Sequence, residues 1–84
     1  MSVNKIVYKD SVYKDFKKID HNRFRVMDTL EHELSKDPKA GKPLKGNYNG
    51  LYSLRVGDYR VIYAIITDGV LVLKVAHRKE AYRE

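Results

Sequence analysis

The stretch that decides the fold is Leu51–His77, LYSLRVGDYRVIYAIITDGVLVLKVAH. Two runs rich in β-branched and aromatic residues flank Gly57-Asp58, which suits a two-residue II′ hairpin turn. That register sets Arg55 opposite Arg60, Leu54 opposite Val61 and Tyr52 opposite Tyr63. The next connection, Thr67-Asp68-Gly69, fits either a two-residue or a three-residue loop, and a slip of one residue turns a whole strand over. A three-residue loop with Gly69 in the left-handed conformation puts Val61, Tyr63 and Ile65 on one face with Leu71, Leu73, Val75 and Leu54. A two-residue loop would move Lys74 and Arg78 onto that apolar face, where neither charge has a partner. The three-residue loop is the expectation, and it leaves Ser53, Arg55, Arg60, Lys74 and Arg78 on the opposite face.

Upstream, the period changes from two to that of a helix. Lys5–Lys9 reads as a short strand, and Asp10 and Ser11 are good helix caps. Val12, Phe16 and Ile19 form one apolar stripe with Lys14, Lys17 and Lys18 around it. A second helix is expected from about Arg23 to Ser35, burying Phe24, Met27, Leu30 and Leu34. Asp37-Pro38 and Gly41 stop it. The fold class that follows is α+β: an N-terminal strand and a helical hairpin packed on one face of a small antiparallel sheet, as a single domain spanning residues 1–84.

Eighty-four residues suffice for one modest core. No apolar run approaches the roughly 20 residues of a membrane span, and the first ten residues lack the apolar segment of a signal peptide. A cytoplasmic protein with no membrane partner is the expectation. The chain has no cysteine, so disulfide, thiolate and zinc–thiolate chemistry are excluded. Its net charge of +6 is uneven: residues 1–38 hold 8 Lys/Arg against 7 Asp/Glu, and residues 39–84 hold 9 against 4. A basic half of this kind suits a polyanion, nucleic acid first and acidic protein second.

Several familiar sites are absent. Gly41 and Gly46 have phosphate-loop spacing, but Asn47-Tyr48 follow where Lys and Ser/Thr are required. His21, His32 and His77 lie on different elements without metal-ligand spacing, and no metal or cofactor is expected. By strand parity His77 belongs at the end of the core near Tyr59, and His32 on the solvated surface. What remains is arginine, lysine and tyrosine: Arg55, Arg60 and Arg78 on one face, Lys42 and Lys45 in the loop entering it, and Tyr82 four residues beyond Arg78.

Like charges directly opposite on paired strands destabilise them by roughly 0.2–1 kcal/mol. Arg55 and Arg60 are therefore at odds unless an anion lies between them or both side chains turn out into water. Arginine is a poor base but a good phosphate ligand, and tyrosine stacks on bases. Such a set suits RNA cleavage without a metal, in which the 2′-OH attacks the adjacent phosphate and the protein aligns it and stabilises developing charge. Lys45 is one candidate for the general base; groups of the substrate or ribosome are the other.

The run LKGNYNGLYSLRVGDYRVIYAI, then VLVLKVAHRKEAY, resembles the RelE/ParE superfamily of toxins from toxin–antitoxin pairs. The resemblance covers nearly the whole chain, including the helical hairpin. It implies a RelE-like fold and, for RelE-like members, a ribosome-dependent endoribonuclease (an mRNA interferase) that cuts mRNA in the ribosomal A site and inhibits translation. By that resemblance Arg60 and Arg78 hold and protonate the phosphate region, Tyr82 stacks on or orients the base, and Arg55 completes the catalytic set. Lys42, Lys45, Ser53, Lys74 and Lys79 are the implied RNA-binding residues. Some relatives carry two lysines where this chain has Ser53 and Arg55. The implied partners are mRNA on the ribosome, with contacts to 16S rRNA, and a cognate acidic antitoxin in a toxin–antitoxin hetero-oligomer. Two other readings remain: a ParE-like toxin that poisons DNA gyrase, and a non-catalytic basic module that binds RNA or an acidic protein.

Overall fold

Gly57 has φ +59°, the left-handed value that the first position of a primed hairpin turn requires. Around it run β3 (Leu51–Val56) and β4 (Tyr59–Ile66), in the expected register: Tyr52 faces Tyr63, Leu54 faces Val61 and Arg55 faces Arg60. The structure, a computed structural model, describes residues 4–19 and 22–77. The other elements are β1 (Lys5–Tyr8), α1 (Asp10–Ile19), α2 (Asn22–Lys36), the two-residue β2 (Lys42–Pro43), a 3₁₀ turn (Gly46–Tyr48) and β5 (Gly69–His77). The sheet order is β1-β5-β4-β3-β2. β1 runs parallel to β5 while the other pairs are antiparallel, so the α+β fold is as expected but the sheet is mixed.

The connection between β4 and β5 combines both loop readings. Ile66 pairs with Gly69, so the turn itself has two residues, Thr67 and Asp68, rather than three. Gly69 is not in the left-handed region. It is glycine for another reason: a Cβ there would run into the backbone of Lys5 on the adjacent strand. A register shift between Ile62 and Tyr63 then leaves Leu73 as the extra residue on β5, the signature of a β-bulge. Beyond it Val61 faces Val75 and Ile62 faces Lys74, as the three-residue reading required. The bulge corrects the expected core. Val70 and Val72 are fully buried in place of Leu71 and Leu73, while Lys74 stays exposed on the far face.

The helices cover the other face. Val12, Phe16 and Ile19 of α1 pack with Val26, Leu30 and Leu34 of α2 on Val56, Val61, Tyr63, Val70, Val72 and Val75. Two expectations fail here. Phe24 is 65% exposed, because the buried stripe of α2 runs through Val26, Leu30 and Leu34, with Met27 at its margin. Ile65 is 38% exposed, since β3 ends its pairing at Leu51–Ala64 and leaves Ile65 without a neighbour on that side. His77 does sit at the end of the core, edge-on to Tyr59 at 5.6 Å, and His32 is exposed on α2.

β5 outruns β1, so among the described residues its last part has no strand beside it on that side. Asp15 of α1 covers part of it: its Oδ2 accepts a hydrogen bond from the Val75 N–H at 3.1 Å. A carboxylate at an open strand also discourages edge-to-edge pairing with another chain.

Candidate functional site

Registered partners in a sheet project on the same side, and that fixes the make-up of the outer face. One row across it reads Lys42, Ser53, Ile62, Lys74, and the next reads Arg55, Arg60, Ala76. Arg55, Lys42 and Lys74 are exposed, while Arg60 and Ser53 are half-buried. Arg60 stands on the middle strand between Arg55 and the small, buried Ala76. Five of the nine residues singled out in the sequence therefore share one patch. Lys45 is exposed at the entry to it, in extended backbone just before the 3₁₀ turn. Arg78, Lys79 and Tyr82 lie outside the described residues.

The lysine-bearing loop is anchored from within the core. The Tyr63 hydroxyl donates to the Pro38 carbonyl at 2.7 Å and accepts the Gly41 N–H at 2.9 Å. Gly41 is buried, and a Cβ on it would lie 2.7 Å from the Tyr63 Oη and 2.9 Å from the Ser53 carbonyl oxygen, so only glycine fits. Tyr52 stacks on Tyr63 at 5.5 Å. Burial raises the Tyr63 pKa, and the Gly41 N–H offsets part of that rise. The Leu44 N–H bonds to the Leu51 carbonyl at 2.8 Å, closing the loop onto the start of β3. Lys42 and Lys45 are thus carried on a segment tied at both ends.

Arg25 was not among the residues expected from the sequence. Its guanidinium carbon lies 3.6 Å from where a Cβ on Gly57 would stand, so it rests over the turn that separates Arg55 from Arg60. Asn22, the first residue of α2, donates to the Tyr59 hydroxyl at 3.1 Å and fixes this end of the helix to the same hairpin. A signal for Arg25 existed: the first turn of α2 has Arg23 and Arg25 and no acidic residue, although a helix N-terminus favours negative charge.

A shallow pocket of about 130 Å³ opens among Asp15, Lys18, Ile19, Tyr59, Val75 and His77. Among the described residues no three His, Asp or Glu side chains gather as metal ligands would. No described helix is long and apolar enough to cross a membrane. Among the described residues the outer face offers a concentration of cationic donors, whose charge and N–H groups suit an anion such as phosphate.

The chain is similar to known toxins. Toxin RelE of Mycobacterium tuberculosis is 45% identical over 53 residues, 60% of this chain and 54% of that one. Toxin RelG of the same organism is 41% identical over 54 residues, 61% of this chain and 62% of that one. The matched region thus spans between half and two thirds of each of these relatives. The crystal structure of the toxin–antitoxin complex RelBE2 from Mycobacterium tuberculosis superposes with a TM-score of 0.83 at 29% identity, covering 93% of this chain and 94% of that one. Residues 6–82 match the family described as the ParE toxin of the type II toxin–antitoxin system parDE, and the chain belongs to that family.

Proposed function

We propose that this chain is a cytoplasmic RelE-type toxin that cleaves mRNA in the ribosomal A site, without a metal, and is neutralised by an acidic antitoxin. The observation that carries the reading is the registered Arg55–Arg60 pair, flanked on the same face by Lys42 and Lys74. The similarity to Toxin RelE and to the toxin–antitoxin complex RelBE2 supports it. In this reading Arg55 and Arg60 hold the scissile phosphate, each offering guanidinium N–H donors to its oxygens. The 2′-OH passes its proton to a general base, Lys45 or a group of the substrate or ribosome, as its oxygen attacks phosphorus. The bond to the 5′-oxygen breaks, and the products carry a 2′,3′-cyclic phosphate and a 5′-hydroxyl. Fixed donors near the phosphate stabilise the charge that grows on it. Arg78 supplies a proton to the leaving oxygen and Tyr82 orients the base. Lys42, Lys45, Ser53, Lys74 and Lys79 hold the RNA backbone.

Translating ribosomes incubated with the purified chain test this directly. Primer extension should show cuts at A-site codons, and end analysis should find cyclic phosphate and 5′-hydroxyl. Intact mRNA would count against the reading. A gyrase-directed toxin is the second reading, favoured by the lack of lysine at Ser53 and Arg55. It predicts instead inhibition of DNA supercoiling by gyrase with mRNA untouched.

A further inference from the structure

We propose that Arg25 is a positioning residue that binds a second phosphate of the RNA, at the tip of the β3–β4 hairpin. The inference rests on the ribonuclease reading above and adds a contact to it. Arg55 and Arg60 leave the sheet on the outer face, whereas α2 lies against the inner face. Arg25 reaches the hairpin from that inner side and sets its guanidinium over Gly57. It therefore stands at the tip of the hairpin that carries the arginine pair, on the other side of the turn. An RNA strand held by Arg55 and Arg60 that continues past the turn meets Arg25 with a neighbouring, non-scissile phosphate.

Three features make this a built contact rather than a stray surface charge. The Asn22–Tyr59 hydrogen bond fastens the first turn of α2 to the hairpin, so Arg25 is carried on a fixed base. Gly57 has no side chain, which lets the guanidinium lie close against the turn and limits its freedom before RNA arrives. The helix end itself favours an anion: Arg25 lies near the positive end of the α2 dipole, with Arg23 in the same turn and no acidic residue in it. A phosphate there meets both, and arginine offers it a bidentate grip. The competing explanation is internal: Arg25 serves the turn residue Asp58.

The test uses the full chain, a single-stranded RNA oligomer and programmed ribosomes. Arg25→Gln should reduce the slope of log affinity against log salt by about one, the loss of one phosphate contact. On ribosomes KM should rise roughly tenfold while kcat at saturation stays within about twofold, because a non-scissile contact acts on binding. Arg25→Lys should restore the salt slope but only part of KM, since the fork is lost. An unchanged slope would overturn the proposal. So would equal, non-additive losses of stability in Arg25→Gln and Asp58→Asn, which would mark an internal ion pair. If the wild-type chain bound RNA with an Arg25-dependent slope yet cut nothing, the phosphate contact would stand and the ribonuclease reading would fall.

Discussion

Arg55 and Arg60 face each other across β3 and β4, and the hairpin register that places them was legible from Gly57-Asp58 alone. A two-residue turn leaves no freedom in the pairing that follows it. Neither arginine is part of the buried core, so removing one should leave the fold intact. Arg60→Ala is expected to change stability by less than about 1 kcal/mol and to lower the cleavage rate by roughly 10²–10³, the cost of losing one preorganised donor. Urea denaturation and single-turnover cleavage separate the two effects. Tyr63→Phe should do the opposite. It leaves the Gly41 N–H and the Pro38 carbonyl without their partner in the interior, at a cost of about 1–3 kcal/mol. The lysine loop should loosen while the arginine pair stays in place, which denaturation and amide exchange at Gly41 would report. Phe24 shows where residue-level reading fails. Its spacing to Met27 fits a helical stripe, but α2 turns the Val26–Leu30–Leu34 stripe inward instead. A helix with apolar residues on adjoining faces does not reveal which one the sheet will cover.

At the level of elements, the β4–β5 connection shows why the sequence supports two loop readings. The two-residue turn satisfies the strands near Thr67 and Asp68, and the bulge at Leu73 then restores the alternation that keeps Lys74 out of the core. Burial arguments recover the register at Val61–Val75, but a bulge that merges two registers leaves no mark in a pattern of period two. β1 was legible as a strand but not as a parallel one, because its partner follows more than sixty residues later. That pairing depends on Gly69. Gly69→Ala should detach β1 through the collision with Lys5, destabilise the chain by at least about 2 kcal/mol and expose the Lys5 and Lys9 amides to exchange. β1 also carries Tyr8, whose pKa is raised to about 12 by burial, with Glu31 and Tyr13 adding to the rise. A tyrosine that holds its proton longer when folded gives stability that is complete below pH 10, its ordinary value, and is lost as pH rises toward 12. Stability measured by denaturation should therefore fall across that interval, and Tyr8→Phe should flatten the fall.

Across the whole molecule, charge and shape divide the labour. The helices and the inner face hold the core, and Lys42, Arg55, Arg60 and Lys74 gather on the outer face. The uneven charge was visible in the sequence, and strand parity was enough to put Arg55, Arg60 and Lys74 on one side. Arg25 was not visible in that way. Its place over Gly57 depends on how α2 docks against the hairpin, a tertiary relation with no local pattern. RNA affinity should fall steeply with salt, because phosphate contacts release counterions. An acidic segment of a partner should compete for the same face. The most direct test of the account is the single-turnover rate of A-site cleavage on programmed ribosomes, wild type against Arg60→Ala, at protein concentrations that saturate binding of both. The account predicts cutting by the wild-type chain and a rate lower by about two to three orders of magnitude for the variant at equal occupancy. Equal rates at equal occupancy would contradict it.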